Sequence, residues 1–226
     1  MSFSTIRFSS TTASVVSMLV DDLHDLDALP RTQKQLRDAT DQLLSTLADM
    51  RQTVNPTKNL PVKLLPYSAA DLAESVRNMF IGQAQEHGMS IRLVLSHEAQ
   101  KIRVGDQTRV RQALSNLLRN ALIHSKGTEV ILVFNARSSD NGPTSVWAVI
   151  DNGVGILDSE VDRLFQPFER GSVDPRSHAD GSGLGLYIAK SSIETLGGSI
   201  KHFHPETGGT GYLIELPEPL ADEADR

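Results

Sequence analysis

The sequence predicts an α+β protein in which a two-layer α/β sandwich with a mixed sheet follows an antiparallel helical hairpin. Two amphipathic stretches near the N-terminus carry the narrow apolar stripe of paired helices. After a polar segment with two prolines, helical patterns alternate with short strand-like runs. The predicted organisation is a hairpin dimerisation domain over 1–54, a linker over 55–61, a sandwich domain over 62–217 and an acidic tail over 218–226.

Composition narrows the function classes open to this 226-residue chain. A formal net charge of −6 argues against a nucleic-acid-binding protein. The absence of cysteine excludes disulfides, thiolate metal sites and cysteine nucleophiles. No apolar run approaches the ~20 residues that a bilayer crossing needs, so we expect no membrane span in this chain.

Stripe positions spaced three and four residues apart define the two helices of the hairpin. They are Val16, Leu19, Leu23 and Leu26 in the first helix, and Leu36, Thr40, Leu43, Leu47 and Met50 in the second. The short break at 29–32 makes the helices antiparallel neighbours. Because a lone hairpin would expose its apolar seam, we expect a homodimer in which two hairpins form a four-helix bundle. The alternative is that the hairpin packs on its own sandwich domain.

Periodicity and turn residues predict the later elements in order. Ser68, with Asp71 three residues on, begins one helix, and Asp106 begins another. The predicted strands are 62–65, 90–95, 101–104, 129–136, 146–150, 199–204 and 212–216. The predicted helices are 69–86, 107–123, 159–164 and 184–196. Turns at 137–143 and between the last two strands make these strand pairs into hairpins.

Three stretches of the sandwich domain carry polar or glycine patterns of interest. The first is Asp151-Asn152-Gly153-Val154-Gly155-Ile156, where a carboxylate could read a flat ligand while the glycines let the backbone approach it. The second is the polar stripe of Asn116, Asn120 and His124 on one helix. The third is Gly181-Ser182-Gly183-Leu184-Gly185-Leu186, a phosphate cradle of free amides at a helix N-terminus. Taken singly, the first could be an ordinary turn and the second a solvated helix surface.

Together these residues resemble the ATP-binding core of the sensor histidine kinases over about residues 62–217. In the family's order, the matching segments are Asn116-Leu-Leu-Arg-Asn120-Ala121 (N box), Asp151-Asn-Gly153-Val-Gly155 (G1 box), Leu164–Phe168 (F box), Gly181–Leu186 (G2 box) and Gly209-Thr210-Gly211. The resemblance implies the Bergerat ATP-binding fold, which the sensor histidine kinases share with gyrase, Hsp90 and MutL.

The resemblance also implies ATP and Mg²⁺ as cofactors. Asp151 would accept a hydrogen bond from the adenine amino group, and Thr210 would support Asp151 through a water. Asn120 would coordinate Mg²⁺ through its amide oxygen. The segment 170–182 would be a lid, with Arg170 near the phosphates. The implied ATP-binding residues are Asn116, Asn120, Asp151, Gly153, Gly155, Ile156, Arg170, Gly181, Ser182, Gly183, Leu184, Gly185, Leu186 and Thr210.

Position 116 separates the activities within this group. Members that hydrolyse ATP resemble one another in carrying Glu there, as a base for the attacking water, whereas an amide cannot take a proton near neutral pH. Asn116 therefore favours phosphoryl transfer, or binding alone, over an ATP-driven clamp of the Hsp90 or MutL kind. Ile123 stands where typical kinases carry Lys or Arg, so one phosphate-neutralising charge is missing.

The implied function is a two-component histidine kinase that passes phosphate from ATP to the receiver domain of a response regulator. The family's acceptor box is the motif around the histidine that accepts the phosphoryl group. Here this motif is degenerate, because Ser4 stands at the place of the usual histidine. His24, the only histidine of the hairpin, is the candidate acceptor and is assigned to the catalytic set with Asn116 and Asn120. The alternatives are a surface role for His24 and a degenerate module that binds ATP and regulates a partner by dimerisation without autophosphorylating. We expect a cytoplasmic protein or the cytoplasmic portion of a larger sensor.

Overall fold

A computed structural model describes residues 61–139, 142–169 and 183–218 of the chain. The predicted hairpin, the linker up to residue 60 and the tail beyond Glu218 lie outside the described residues. Among the candidate site residues, His24, Arg170, Gly181 and Ser182 also lie outside them. The hairpin dimer therefore stays a prediction.

Seven strands and four α-helices make up the described part of the chain. The strands are β1 Leu65–Ser68, β2 Ser90–Leu95, β3 Ile102–Gly105, β4 Glu129–Ser139, β5 Gly142–Asp151, β6 Ser199–Phe203 and β7 Gly211–Pro217. The helices are α1 Ala69–Glu86, α2 Gln107–His124, α3 Asp158–Val161 and α4 Gly185–Thr195, with a 3₁₀ turn at His97–Gln100. None of these helices combines the length and apolarity that crossing a bilayer requires.

The sheet is mixed, as the sequence predicts. Its five strands run in the order β2-β4-β5-β7-β6, with β2 parallel to β4 and every other neighbouring pair antiparallel. Strands β1 and β3 form a separate antiparallel pair. Apolar side chains of α1, α2 and α4 pack on one face of the large sheet in a single core. The predicted two-layer α+β sandwich is thereby confirmed.

Two predicted helix starts are confirmed by their caps. The hydroxyl of Ser68 accepts a hydrogen bond from the amide of Asp71 at 3.2 Å, at the start of α1. The carboxylate of Asp106 accepts one from the amide of Arg109 at 3.1 Å, at the start of α2. Each cap satisfies an amide that has no partner inside its helix, an effect of ~1 kcal/mol.

Element ends differ from the predictions where tertiary pairing decides them. The first strand begins at Leu65 rather than at Val62, because Tyr67 is the side chain that enters the core, whereas Val62 and Leu65 stay exposed. The pairing of β4 with β5 continues to Ser139 and Gly142, so their turn is shorter than the predicted 137–143. Helix α3 ends at Val161, three residues before the predicted end.

Candidate functional site

Asp151 is a buried carboxylate at the end of β5, with only 3% of its surface exposed. Its Oδ1 atom accepts hydrogen bonds from the amide of Gly153 at 2.9 Å and from the amide of Thr210 at 3.2 Å. Burial raises the pKa of this carboxyl, and the two amide contacts partly oppose that rise. Thr210 supports Asp151 directly through its backbone. These contacts fix the carboxylate and occupy one of its two oxygens.

Two glycines let three chain segments meet beside Asp151. A Cβ at Gly153 would lie 2.0 Å from the carbonyl oxygen of Ser125, just after α2. A Cβ at Gly209 would lie 2.0 Å from the carbonyl oxygen of Asp151, and Gly209 also has a left-handed φ of +88°. No side chain fits at either position, since real Cβ contacts are not found below 3.0 Å. The end of α2, the turn after β5 and the turn before β7 are therefore in backbone contact.

Asn152 holds the turn after β5 in place, a role that we did not predict from the sequence. Its Oδ1 accepts hydrogen bonds from the amides of Thr128 at 2.8 Å and Glu129 at 3.0 Å. Its Nδ2 donates to the hydroxyl of Thr128 at 3.0 Å. The sequence feature that could have indicated this role is the tendency of Asn side chains in turns to form hydrogen bonds with backbone groups.

We expect an Asn152→Ala variant to lose about 1–3 kcal/mol of unfolding free energy, because three hydrogen bonds disappear and two amides lose their partner. Urea denaturation measures this loss. Asn135→Ala is the control, since Asn135 is exposed and its side chain accepts only from the amide of Ala136 among the contacts described. We expect the control to cost less than about 1 kcal/mol. Equal losses in the two variants would contradict the role assigned to Asn152.

Asn120 lies on α2 with its amide held by a strand residue. Its Nδ2 donates a hydrogen bond to the hydroxyl of Tyr212 on β7 at 3.1 Å. Tyr212 is 1% exposed, and its ring meets that of Phe165 edge to face at a centroid distance of 6.2 Å. Burial raises the pKa of Tyr212, and the charge of Asp151 raises it further, so the phenol is neutral near pH 7. Tyr212 is a second site residue that sequence reasoning missed.

Asn116 lies one helical turn before Asn120 on the same side of α2. Its Nδ2 is buried and has no hydrogen-bond partner within the described part of the chain. Buried polar atoms are normally hydrogen-bonded, so this NH₂ group is a donor that a bound ligand can use. Because both asparagines are partly buried, a merely solvated surface does not account for them, whereas His124 at the end of the stripe is exposed.

The G2 segment leads into α4 as predicted, although only its last four residues, 183–186, are described. Leu184 is buried, and Leu186 packs against the core, so these side chains anchor the segment. Gly183 has a φ of +71°, and its carbonyl oxygen accepts a hydrogen bond from the amide of Phe168 at 3.0 Å. Gly185 begins the helix. The structure thus joins the F-box segment to the start of α4.

The other predicted residues lie around Asp151. Gly155 turns the backbone with a φ of +77°, and Ile156 is partly buried against the core. Phe165 also contacts α4, since the ammonium of Lys190 lies 5.7 Å from its ring centroid. The structure therefore brings the end of β5, the start of β7, the polar side of α2 and the F-box segment to one end of the sheet.

Comparison with known proteins agrees with the family resemblance of the sequence motifs. A family described as "Histidine kinase-, DNA gyrase B-, and HSP90-like ATPase" matches residues 105–220, just over half of the chain. The chain is 27% identical over 205 residues to the sensor protein TorS of Escherichia coli (strain K12), covering 88% of this chain and 22% of TorS. It is 30% identical over 181 residues to the circadian input-output histidine kinase CikA of Synechococcus elongatus, covering 78% of this chain and 23% of CikA. The chain thus spans less than a quarter of the length of these curated relatives.

Two solved structures share the fold. Full-length ShkA in complex with AMPPNP superposes with a TM-score of 0.68 at 21% identity, covering 92% of this chain and 46% of ShkA. The Acinetobacter baumannii histidine kinase AdeS superposes with a TM-score of 0.64 at 18% identity, covering 93% of this chain and 98% of AdeS. The match over residues 105–220 shows that the chain belongs to the histidine kinase-, DNA gyrase B- and HSP90-like ATPase family. Together with the similarity to TorS and CikA, it shows that the chain carries the ATP-binding catalytic core of a histidine kinase.

Proposed function

We propose that this chain binds Mg²⁺-ATP and moves its terminal phosphoryl group toward the receiver domain of a response regulator. The observation that carries the proposal is the buried carboxylate of Asp151. Two backbone amides hold its Oδ1, which leaves Oδ2 to accept from a ligand. Adenine offers an exocyclic amino group, a donor that matches such an acceptor. The solved ShkA complex contains AMPPNP, an ATP analogue, which agrees with a nucleotide at this site.

The two asparagines of α2 fit the phosphate end of the nucleotide. Asn120 keeps its amide oxygen available because its NH₂ group is engaged by Tyr212, and an uncharged oxygen is a ligand that Mg²⁺ accepts. The orphaned NH₂ of Asn116 is a donor suited to a phosphate oxygen. When bound, Mg²⁺ neutralises charge on the phosphates, and protein sites for it commonly supply only one or two ligands.

Phosphoryl transfer is favoured over steady hydrolysis because of residue 116. An attacking water would need a base beside it, and an asparagine amide is not basic near neutral pH. With a separate nucleophile, the protein has chiefly to position the phosphoryl group and to neutralise its charge. His24 is the proposed nucleophile, and a homodimer through residues 1–54 is the proposed assembly.

A second candidate function follows from the degenerate acceptor box. Ser4 stands where the family's histidine is expected, and a serine hydroxyl is a poor nucleophile without a base. The chain would then bind ATP and regulate a partner kinase or regulator through dimerisation, with no phosphate on its own residues.

Incubation of the full chain with γ-labelled ATP separates these functions. The kinase predicts a label that is stable in base, labile in acid and absent from a His24→Ala variant. The regulatory module predicts ATP binding at micromolar concentration without label in either protein. Steady release of phosphate would contradict both and would favour an ATP-driven clamp. Addition of a purified receiver domain tests the next step, because its aspartate should acquire the label from the labelled protein.

A further inference from the structure

We infer that Tyr212 is a positioning residue that orients the amide of Asn120 so that its oxygen faces the cation of a bound Mg²⁺-nucleotide. This inference rests on the proposed function and deepens it. The contact that carries it is the 3.1 Å hydrogen bond from Asn120 Nδ2 to Tyr212 Oη. It joins α2 to β7 across 92 residues of sequence, and Tyr212 is 1% exposed.

The orientation of this amide decides what it can bind. An amide presents an acceptor on one side and a donor on the other. With its NH₂ group on Tyr212, Asn120 presents the oxygen, which can coordinate a cation. In the reversed orientation it would present the NH₂ group, which cannot coordinate a cation. One hydroxyl group thus selects between a metal ligand and a donor to anions.

A hydroxyl can donate as well as accept, so the position of the amide decides how this contact is made. The structure places the NH₂ group of Asn120 against Tyr212 Oη, and in this arrangement the hydroxyl oxygen accepts. The amide oxygen of Asn120 is then left to a ligand.

The Tyr212 ring is held in place independently of its hydroxyl. It meets Phe165 edge to face at 6.2 Å and His202 at 5.9 Å between ring centroids. A Phe at this position would keep these contacts and lose only the oxygen. Tyr212→Phe is therefore a direct probe of the hydrogen bond.

The test measures how strongly Mg²⁺ tightens the binding of AMPPNP to the full chain. Isothermal titration gives the dissociation constant with EDTA and with saturating Mg²⁺, and their ratio is the metal coupling. We expect Tyr212→Phe to lower this ratio about five- to tenfold, the size expected for one lost hydrogen bond, while the dissociation constant in EDTA stays within about twofold. Electron paramagnetic resonance of Mn²⁺ should show a matching loss of affinity for the cation in the nucleotide complex.

Three further variants distinguish positioning from a general structural effect. Tyr67→Phe removes the hydroxyl of a buried tyrosine on β1, beside Glu218 beyond the other end of β7, and should leave the ratio unchanged. Asn120→Ala should lose the coupling, and adding Tyr212→Phe to it should have no further effect, because the hydroxyl acts through Asn120.

The outcomes separate the inference about Tyr212 from the proposed function. An unchanged ratio in Tyr212→Phe, or an equal loss in Tyr67→Phe, overturns the inference while the proposed function stands. A further loss in the double variant also overturns it, because Tyr212 would then act independently of Asn120. Failure of the wild-type chain to bind AMPPNP with or without metal would overturn the proposed function itself.

Discussion

An Asp151→Asn variant is expected to fold and to lose most of its affinity for ATP. Asparagine keeps an oxygen where Asp151 accepts from the amides of Gly153 and Thr210. At the second position it replaces a charged acceptor with an NH₂ donor, which would oppose the amino group of adenine. The lost charged hydrogen bond and the two opposed donors together cost about 3–5 kcal/mol, a loss of affinity of at least about a hundredfold.

Isothermal titration with AMPPNP measures this loss. Asp162→Asn is the matched control, since it makes the same chemical change at an exposed residue just after α3 and should leave the affinity unchanged. If Asp151→Asn bound the nucleotide within about threefold of the wild-type affinity, the carboxylate would not be reading the base.

The same variant should change how stability depends on pH. Burial raises the pKa of Asp151. The charged carboxylate therefore destabilises the folded protein near neutral pH when no nucleotide is bound. Asparagine removes that charge, and the variant should be at least as stable as the wild type at pH 7. As the pH falls through the raised pKa, the wild-type carboxyl becomes neutral and the difference should shrink. Urea denaturation between pH 7 and about pH 4 measures it.

A Gly209→Ala variant is expected to be strongly destabilised and to lose nucleotide binding. Its Cβ would lie 2.0 Å from the carbonyl oxygen of Asp151, and the φ of +88° is unfavourable for alanine. Both atoms in that contact are backbone or backbone-attached, so no side-chain rotation relieves it. We expect a loss on the order of 3–5 kcal/mol in unfolding free energy, together with displacement of Asp151.

The neighbouring glycine provides a control for backbone strain. Gly208 has a similar φ of +84°, but nothing lies within 4 Å of its added Cβ. Gly208→Ala should therefore cost only the conformational strain, about 1–2 kcal/mol, and should retain nucleotide binding. Equal effects of the two substitutions on stability and on binding would show that the close contact with Asp151 is unimportant.

The sequence was sufficient for features that depend on local chemistry. The caps at Ser68 and Asp106 follow from side-chain preferences at helix starts, and both are observed. Asp151, Gly153 and Gly155 lie on one short turn. They could therefore be predicted to form a binding site together without knowledge of the fold. The mixed sheet was predicted from a different source, the order of strand-like and helical patterns along the whole domain, and that order did not give the register of its strands.

Features that depend on distant pairing were not predictable in the same way. The contact of Asn120 with Tyr212 spans 92 residues, and that of Asn152 with Thr128 spans 24. Nothing in the alternating pattern of β7 separates a tyrosine that supports a site from one that fills a core. The start of β1 was misplaced for a related reason, since its register is set by β3.

The most direct test of an adenine-reading carboxylate compares ATP with ITP in competition for the wild-type chain. ITP carries a carbonyl oxygen at the position of the adenine amino group, so it would oppose the carboxylate of Asp151 with a second acceptor. We expect ATP to bind on the order of a hundredfold more tightly than ITP, and we expect this preference to collapse in Asp151→Asn. Equal affinities of the wild-type chain for ATP and ITP would contradict the account.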